Sequence, residues 1–186
     1  MKKIILLLTC ATLFYSCDKT TTLETVTAPK EIGFQISDKG EKIPLYGGDM
    51  AAVSLWETYI KAHNERDLET IAALNAEKDF IAYAPNGKVI KGTEAHLELL
   101  TTWFEKGTNP TWTTKFLITN MYTNKEGKVA QWVTSGHDLT EVIDGKKVKF
   151  NQVHDGLIVD GKIKQFSVNE RVLAPEQEEE KAKAKE

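Results

Sequence analysis

Cysteine is scarce in this sequence of 186 residues. There are two cysteines, Cys10 and Cys17, and both lie close to the N-terminus. If a leader is removed before Cys17 and Cys17 is acylated, the remaining chain has no free thiol, which excludes an intrachain disulfide even in an oxidising compartment. The hydrophobic core must then stabilise the fold without a covalent cross-link.

Clusters of positive charge are also missing. The chain has 24 lysine and arginine residues against 27 aspartate and glutamate residues, which gives a formal charge of −3. Removal of residues 1–16, which include two lysines, would change this charge to −5. Because no basic stripe or arginine cluster is present, we expect no nucleic-acid partner. No apolar run after Cys17 is long enough to cross a bilayer.

The N-terminal segment has the pattern of an export signal. It begins with Lys2 and Lys3, continues with two short apolar stretches, and ends with the small residue Ser16 before Cys17. A positive start, a short apolar core and a small residue at the cleavage position are typical of such signals. The pattern predicts removal of residues 1–16 and lipidation of Cys17. The lipid would anchor the protein to a membrane of the cell envelope, facing the periplasm or the exterior.

Two other interpretations of this leader stay open. In one, it is an ordinary secretory signal and Cys17 is not modified. In the other, Cys10 is the lipidated residue, although only Ile4–Leu8 would then follow Lys3, and a signal core needs roughly 7–15 apolar residues. Cys17 follows Leu13–Ser16, which resembles a bacterial lipobox in which two aromatic residues replace the usual aliphatic and small ones.

Composition divides the rest of the chain into three parts. Residues 17–47 are rich in threonine and then interrupted by glycine and proline, which predicts a linker, with one short strand where Ile32–Ile36 alternates. Residues 48–174 have the size of one domain. Residues 175–186 are almost entirely charged residues and alanine, which predicts a solvated tail.

Helical periodicity precedes strand periodicity within the domain. Asp49, Asp67 and Thr93 can each cap a helix, since apolar residues follow each of them at helical spacing. A short hairpin that turns at Pro85–Gly87 separates the second helix from the third. Four longer strands with tight turns complete the domain: Trp112–Tyr122, Lys128–Glu141, Lys146–Val159 and Lys162–Val172. We therefore predict an α+β cone, in which three helices pack on a curved, mostly antiparallel sheet and leave a cavity.

Three segments carry motifs at specific intervals. Tyr59–Ile71 contains a tyrosine, an asparagine and an Asp-Leu pair, Tyr83–Ala95 contains a Pro-x-Gly turn and then Gly-Thr, and Val159–Ile163 contains Asp-Gly-Lys. Their order and spacing resemble the nuclear transport factor 2-like superfamily, in particular its SnoaL-like and ketosteroid-isomerase-like branch. The resemblance covers Leu55–Val172 and implies the cone fold. It implies no single function, because this fold hosts enzymes, ligand carriers and dimerisation modules.

The resemblance also implies positions for catalytic residues. In the isomerase branch an aspartate base acts with an oxyanion hole, which consists of a tyrosine and a protonated aspartic acid. Tyr59 occupies the tyrosine position, Asp155 occupies the second aspartate position, and Ala84 stands where the base is expected. Because alanine cannot accept a proton, we expect the steroid-isomerase reaction of the family to be absent.

Further side chains are candidates for the cavity wall. We predict that Tyr83, His96 and Trp132 line the cavity and contact a ligand, together with Tyr59 and Asp155. For comparison, ordinary core packing is the expected role of most other aromatic residues on the amphipathic helices.

The remaining histidines have structural interpretations. Strand alternation places His154 on the face opposite Asp155, where it would be a surface or dimer-face residue. His63, near the end of the first helix, is expected to bond a helix carbonyl. His137 and Asp138 are adjacent in a strand, so their side chains diverge. No histidine pair has metal-ligand spacing, and we expect neither a metal nor another cofactor.

Three functions from different classes stay open. The leading hypothesis is a lipid-anchored module that binds a small, mostly apolar molecule. The second is a lyase, isomerase or hydrolase that uses Tyr59 and Asp155 as polarising groups, with His96 or Glu170 as base.

The third hypothesis is a homodimeric interaction module. The convex face of the sheet would form the contact, and alternation suggests Phe150, Ile158 and Val133 as its apolar residues.

Overall fold

The computed structural model describes residues 29–173. Within this range there are three helices, α1 (Met50–Glu65), α2 (Leu68–Leu74) and α3 (Thr93–Glu105). The same range contains eight strands: β1 (Glu31–Ile36), β2 (Lys42–Gly47), β3 (Ile81–Tyr83), β4 (Val89–Lys91), β5 (Thr111–Thr123), β6 (Val129–Ile143), β7 (Lys146–Val159) and β8 (Lys162–Val172). The predicted leader, the predicted lipidation of Cys17 and the predicted tail at 175–186 lie outside the described residues.

The strands form one curved, open sheet in the order β1-β2-β5-β6-β7-β8-β3-β4. All neighbouring strands are antiparallel except β3 and β8, which run parallel. Turns at Asp144–Gly145 and Asp160–Gly161 join the long strands, and each of these four residues has a positive φ. The structure therefore confirms the α+β class and the three helices. No helix in the described range is long and apolar enough to cross a membrane.

The sheet has one hairpin more than the sequence predicted. The strand expected at Ile32–Ile36 is present, but it pairs with β2, and β2 pairs with β5 through Tyr46 and Met121. The backbone N–H of Gly48 also donates to the carbonyl of Thr119, which fixes the start of α1 against β5. The predicted division between linker and domain at residue 48 therefore lies inside the sheet, and the linker assignment of residues 31–47 was wrong.

Two of the three predicted helix caps are present, and the cap predicted for α3 is not. Asp49 Oδ1 accepts a hydrogen bond of 2.9 Å from the N–H of Ala51, and Asp67 Oδ1 accepts one of 3.0 Å from the N–H of Thr70. The predicted cap at Thr93 was wrong. Gly92 caps α3 with φ 88°, a conformation that glycine adopts at little cost, and no side chain caps this helix.

The concave face of the sheet carries the helices and the core. Trp56 of α1 is fully buried against this face, and its indole N–H donates to Ser135 Oγ of β6. Phe150, Ile158 and Val133 belong to this core, with 9%, 3% and 0% of their surface exposed. Their predicted place in a convex-face dimer contact was wrong, because the even-numbered positions of β7 and the odd-numbered positions of β6 point towards the helices.

Candidate functional site

A cavity of about 440 Å³ lies between the helices and the concave face of the sheet. Its walls come from α1, α3, the β3–β4 hairpin and strands β5 to β8. Most of the lining is apolar, and the apolar and aromatic residues that contribute are Trp56, Ile60, Ala82, Ala84, Pro85, Ile90, Leu99, Leu100, Trp103, Trp112, Leu139, Phe166 and Val168. The polar groups fall into separate hydrogen-bonded sets.

The first polar set joins α1 to α3. Tyr59 is almost fully buried because the helical spacing from Trp56 turns both side chains towards the sheet. Its hydroxyl donates to Asn75 Oδ1 at 2.8 Å, and Asn75 Nδ2 lies 3.3 Å from His96 Nδ1. Burial raises the pKa of Tyr59 well above 10.0, so that the phenol stays protonated at neutral pH.

His63 and His96 stand side by side in this part of the cavity, with ring centroids 5.8 Å apart. His63 Nδ1 lies 2.8 Å from the carbonyl oxygen of Tyr59. Burial lowers the pKa of His63 from 6.5 to about 4 and the pKa of His96 from 6.5 to about 3, the second also through the neighbouring His63. Both imidazoles are therefore neutral at physiological pH.

The second polar set is centred on Gln152 of β7. Its Oε1 accepts a hydrogen bond of 2.8 Å from the indole N–H of Trp112, and His154 Nε2 lies 2.8 Å from the same oxygen. Its Nε2 donates to Glu170 Oε2 at 2.6 Å. Because an amide oxygen only accepts, Nε2 of His154 carries the proton. Burial lowers the pKa of His154 well below 6.5, so this ring is neutral as well.

The remaining polar residues of the cavity wall are Glu141, Asn86 and Lys88. The indole N–H of Trp103 donates to Glu141 Oε1 at 2.7 Å, which holds this carboxylate at the cavity wall. Behind the wall, His137 is fully buried with Nε2 2.8 Å from Ser135 Oγ, and its ring centroid lies 4.6 Å from that of His154. Burial lowers the pKa of His137 to about 4.

Asp155 lies on the other side of the sheet, and its predicted place in the cavity was wrong. It accepts a hydrogen bond of 2.6 Å from Thr134 Oγ1, and its cross-strand neighbours are Thr134 and Ser167. Since side chains alternate along β7, the residue that lines the cavity is His154. The expectation that His154 is a surface residue fails for the same reason. Tyr59 and Asp155 therefore do not converge.

The other predicted ligand contacts divide into two groups. His96 lines the cavity with Tyr59. Tyr83 does not, because Ala82 and Ala84 occupy the inward positions of that segment and Tyr83 is 38% exposed. Trp132 does not either, because it alternates with Val133 and shares the convex face with Thr134. The predicted positions of Tyr83 and Trp132 in the cavity wall were therefore wrong.

Several residues that line the cavity were not predicted from the sequence. His63 has the helix-carbonyl bond expected of it, but the same ring lines the cavity. Gln152 and Glu141 were not singled out. The available signal was the run of polar or small residues at the even-numbered positions Gln152, His154 and Gly156, flanked by apolar Phe150 and Ile158. Polar residues inside an otherwise apolar strand face break the local pattern, and such breaks are expected at functional sites.

The most deeply buried polar groups of the cavity are neutral, while Lys88, Glu141 and Glu170 bring charged groups to its wall. Ala84, which stands where the resemblance places a base, lines the cavity and cannot accept a proton. In residues 29–173, no three histidine, cysteine, aspartate or glutamate side chains lie close enough together to hold a metal ion. The cavity combines apolar walls with imidazole, phenol and amide groups, which suit hydrogen bonding to an uncharged molecule, and with two carboxylates and one lysine.

Comparison with known proteins identifies the fold. No protein-family model matches the sequence, and no curated protein matches it either. Among solved structures, a candidate ketosteroid isomerase from Kribbella flavida matches with a TM-score of 0.54 at 19% identity, over 69% of this chain and 83% of that one. An LEH-like epoxide hydrolase from M. tuberculosis matches with a TM-score of 0.53 at 16% identity, over 66% and 84%. A candidate SnoaL-like polyketide cyclase from Jannaschia sp. matches with a TM-score of 0.53 at 14% identity, over 66% and 86%.

These likenesses define a class of fold. The described part of the chain shares the fold of these proteins, an α+β cone with its cavity between the helices and the sheet. At identities below 20% the likeness establishes the fold and not a reaction.

Proposed function

We propose that this domain binds a small, mostly apolar and uncharged molecule in the cavity between α1, α3 and the sheet. A volume of about 440 Å³ lies within the range of ligand pockets, and the wall has the usual composition of such pockets, largely apolar with a few placed polar groups. The structural neighbours include proteins described as acting on small organic molecules, which supports this proposal.

One observation carries the proposal: the most deeply buried polar groups of the cavity are all neutral at physiological pH. His63 and His96 have pKa values near 4 and 3, and Tyr59 has a pKa well above 10.0. A charged ligand group beside these residues would lose its hydration, and no opposite charge on them would compensate for that loss. An uncharged hydroxyl, carbonyl or amide would exchange its water bonds for protein bonds at little cost.

The same observation favours binding over catalysis. A general base works best with a pKa near the operating pH, and imidazoles with pKa values of about 3 and 4 are weak bases at neutrality. Asp155 is on the convex face, so the tyrosine–aspartate pair of the enzyme hypothesis is not assembled.

A neutral fluorescent dye tests the proposal. N-phenyl-1-naphthylamine becomes brighter in apolar surroundings, and we expect saturable binding to the purified full-length protein. The variant Ala84→Trp places an indole in the cavity and should abolish the signal, whereas Ala51→Trp, at an exposed position of α1, should preserve it. Equal binding by both variants, or no saturable binding by the natural protein, would refute the proposal.

We further propose that lipidation of Cys17 attaches this binding domain to a membrane of the cell envelope. The sequence pattern at residues 1–17 supports this. In a detergent phase-separation assay on producing cells, the natural protein should enter the detergent phase, Cys17→Ser should stay in the aqueous phase, and Cys10→Ser should behave as the natural protein does. Loss of partitioning in Cys10→Ser alone would indicate the alternative site.

A further inference from the structure

Two cavity histidines have ring nitrogens whose hydrogen-bond roles are fixed by their other contacts. His63 Nδ1 faces the carbonyl oxygen of Tyr59 at 2.8 Å, and a carbonyl oxygen only accepts. Nδ1 therefore carries the proton of this neutral ring. Nε2, on the far side of the ring, is left as a hydrogen-bond acceptor. His63 is 7% exposed and lines the cavity, and no protein group within the described residues bonds this nitrogen.

His96 has the opposite arrangement. Asn75 Oδ1 accepts from the hydroxyl of Tyr59, which presents the amide Nδ2 to His96 Nδ1 at 3.3 Å. Since an amide nitrogen only donates, Nδ1 of His96 is the acceptor and Nε2 carries the proton. His96 is 3% exposed and also lines the cavity, so its free Nε2–H is a donor available to a ligand there.

The two free nitrogens thus form a complementary pair, an acceptor on His63 and a donor on His96. The ring centroids are 5.8 Å apart and both rings line the cavity, so the two nitrogens belong to neighbouring groups of the same wall. A hydroxyl group satisfies both, because it donates one hydrogen bond and accepts others. A ketone or an ether satisfies only the donor and leaves the acceptor of His63 unpaired.

We propose that the ligand is an alcohol, phenol or enol with an apolar body, whose hydroxyl group lies between His63 and His96. This inference rests on the proposed function, since it specifies the ligand of the same cavity. Deep burial of both rings makes the pair selective, because a buried polar atom left without a partner costs more than the bond itself contributes.

Four naphthalene probes of similar size test the proposal on the full-length protein: 2-naphthol, 2-methoxynaphthalene, 2-naphthylamine and naphthalene. We expect 2-naphthol to bind about tenfold more tightly than 2-methoxynaphthalene, which accepts but cannot donate. Equal affinities of these two probes would overturn the hydroxyl pair while leaving the proposed function intact. Tightest binding of 2-naphthylamine would show two acceptors in place of the pair, and would also overturn it. Binding of none of the four would refute the proposed function itself.

Variants test the residues. In His63→Phe the acceptor is lost, so 2-naphthol and 2-methoxynaphthalene should bind with about equal affinity. In His63→Gln the side-chain oxygen can accept, and part of the preference should return. Tyr83→Phe removes a hydroxyl outside the cavity and should leave the ratio unchanged. An unchanged ratio in His63→Phe would overturn the proposal, and the probe series on the natural protein decides it even if this variant does not fold.

Discussion

Gly156 of β7 makes room for Trp56 of α1. A Cβ atom at position 156 would lie 2.4 Å from Cζ3 of the indole ring, closer than such atoms approach in proteins. The ring is fully buried and its N–H donates to Ser135 Oγ, so it is held in place from two sides. The close approach of α1 to the sheet, and hence the shape of the cavity beside it, depends on this glycine.

Replacing this glycine should therefore destabilise the domain. In Gly156→Ala we expect the free energy of unfolding to fall by about 1–3 kcal/mol, the usual cost of overpacking a core. Urea unfolding measures it. Gly136→Ala is a matched control, because Phe116 covers position 136 but is 47% exposed and its ring can move aside. A larger loss in Gly136→Ala than in Gly156→Ala would contradict this account.

Removal of the carboxylate of Asp155 should not affect ligand binding. In Asp155→Asn the affinity for N-phenyl-1-naphthylamine should stay within about twofold, because this side chain contacts Thr134 on the convex face. A titration monitored by dye fluorescence checks this. A loss of tenfold or more, about 1.4 kcal/mol, would mean that the residue acts in the cavity after all.

Gln152 should contribute strongly to the stability of the cavity wall. In Gln152→Leu the indole N–H of Trp112 and the Nε2–H of His154 both lose their acceptor. Since each unpaired buried donor costs about 1–3 kcal/mol, we expect the free energy of unfolding to fall by at least about 2 kcal/mol. Gln165→Leu, on the convex face of β8, is the control and should change it little. A loss in Gln152→Leu no larger than in this control would argue against the network.

Acid should weaken the fold before the carboxylates titrate. His63 and His137 have folded-state pKa values of about 4, below the ordinary value of about 6.5 in the unfolded chain. Between these values the unfolded chain binds more protons, so stability is complete above about pH 6.5 and is lost as the pH falls towards 4. Each histidine contributes a slope of up to about 1.4 kcal/mol per pH unit.

Urea unfolding at about pH 7 and pH 5 measures this loss, and His137→Gln should reduce the slope by one histidine's contribution. Equal unfolding free energies of the natural protein at the two pH values would show that the imidazoles are not held neutral in the fold.

Much of this fold could be predicted from the sequence, since its local signals agree with its tertiary structure. Asp49 and Asp67 precede apolar residues at helical spacing, and both are caps. Asp-Gly turns delimit long strands, whose predicted bounds are matched to within about two residues. The β1–β2 hairpin was not predicted because its glycines and Pro44 are equally typical of a linker. It belongs to the sheet only through the pairing of β2 with β5.

The site could be predicted only in part. The sequence of β7 does not show clearly which of its two faces points towards the helices. Asp155, Leu157 and Val159 look like the inward set, because apolar residues normally face the core. The inward set is instead Gln152, His154 and Gly156, since one wall of the cavity is polar and Gly156 must admit Trp56. A shift of one residue exchanges the two faces completely. Tyr59 and His96 were placed correctly in space because the helices that carry them have one clear apolar face.

The most direct test of the central claim is a nuclear magnetic resonance titration of the indole N–H signals with 2-naphthol. Trp103 and Trp112 line the cavity, whereas Trp132 lies on the convex face of the sheet. Binding in the cavity predicts shifts of the Trp103 and Trp112 signals and a constant Trp132 signal, which Trp132→Phe identifies by its loss. A shift confined to Trp132, or no shift of any indole signal at saturating probe, would contradict the account.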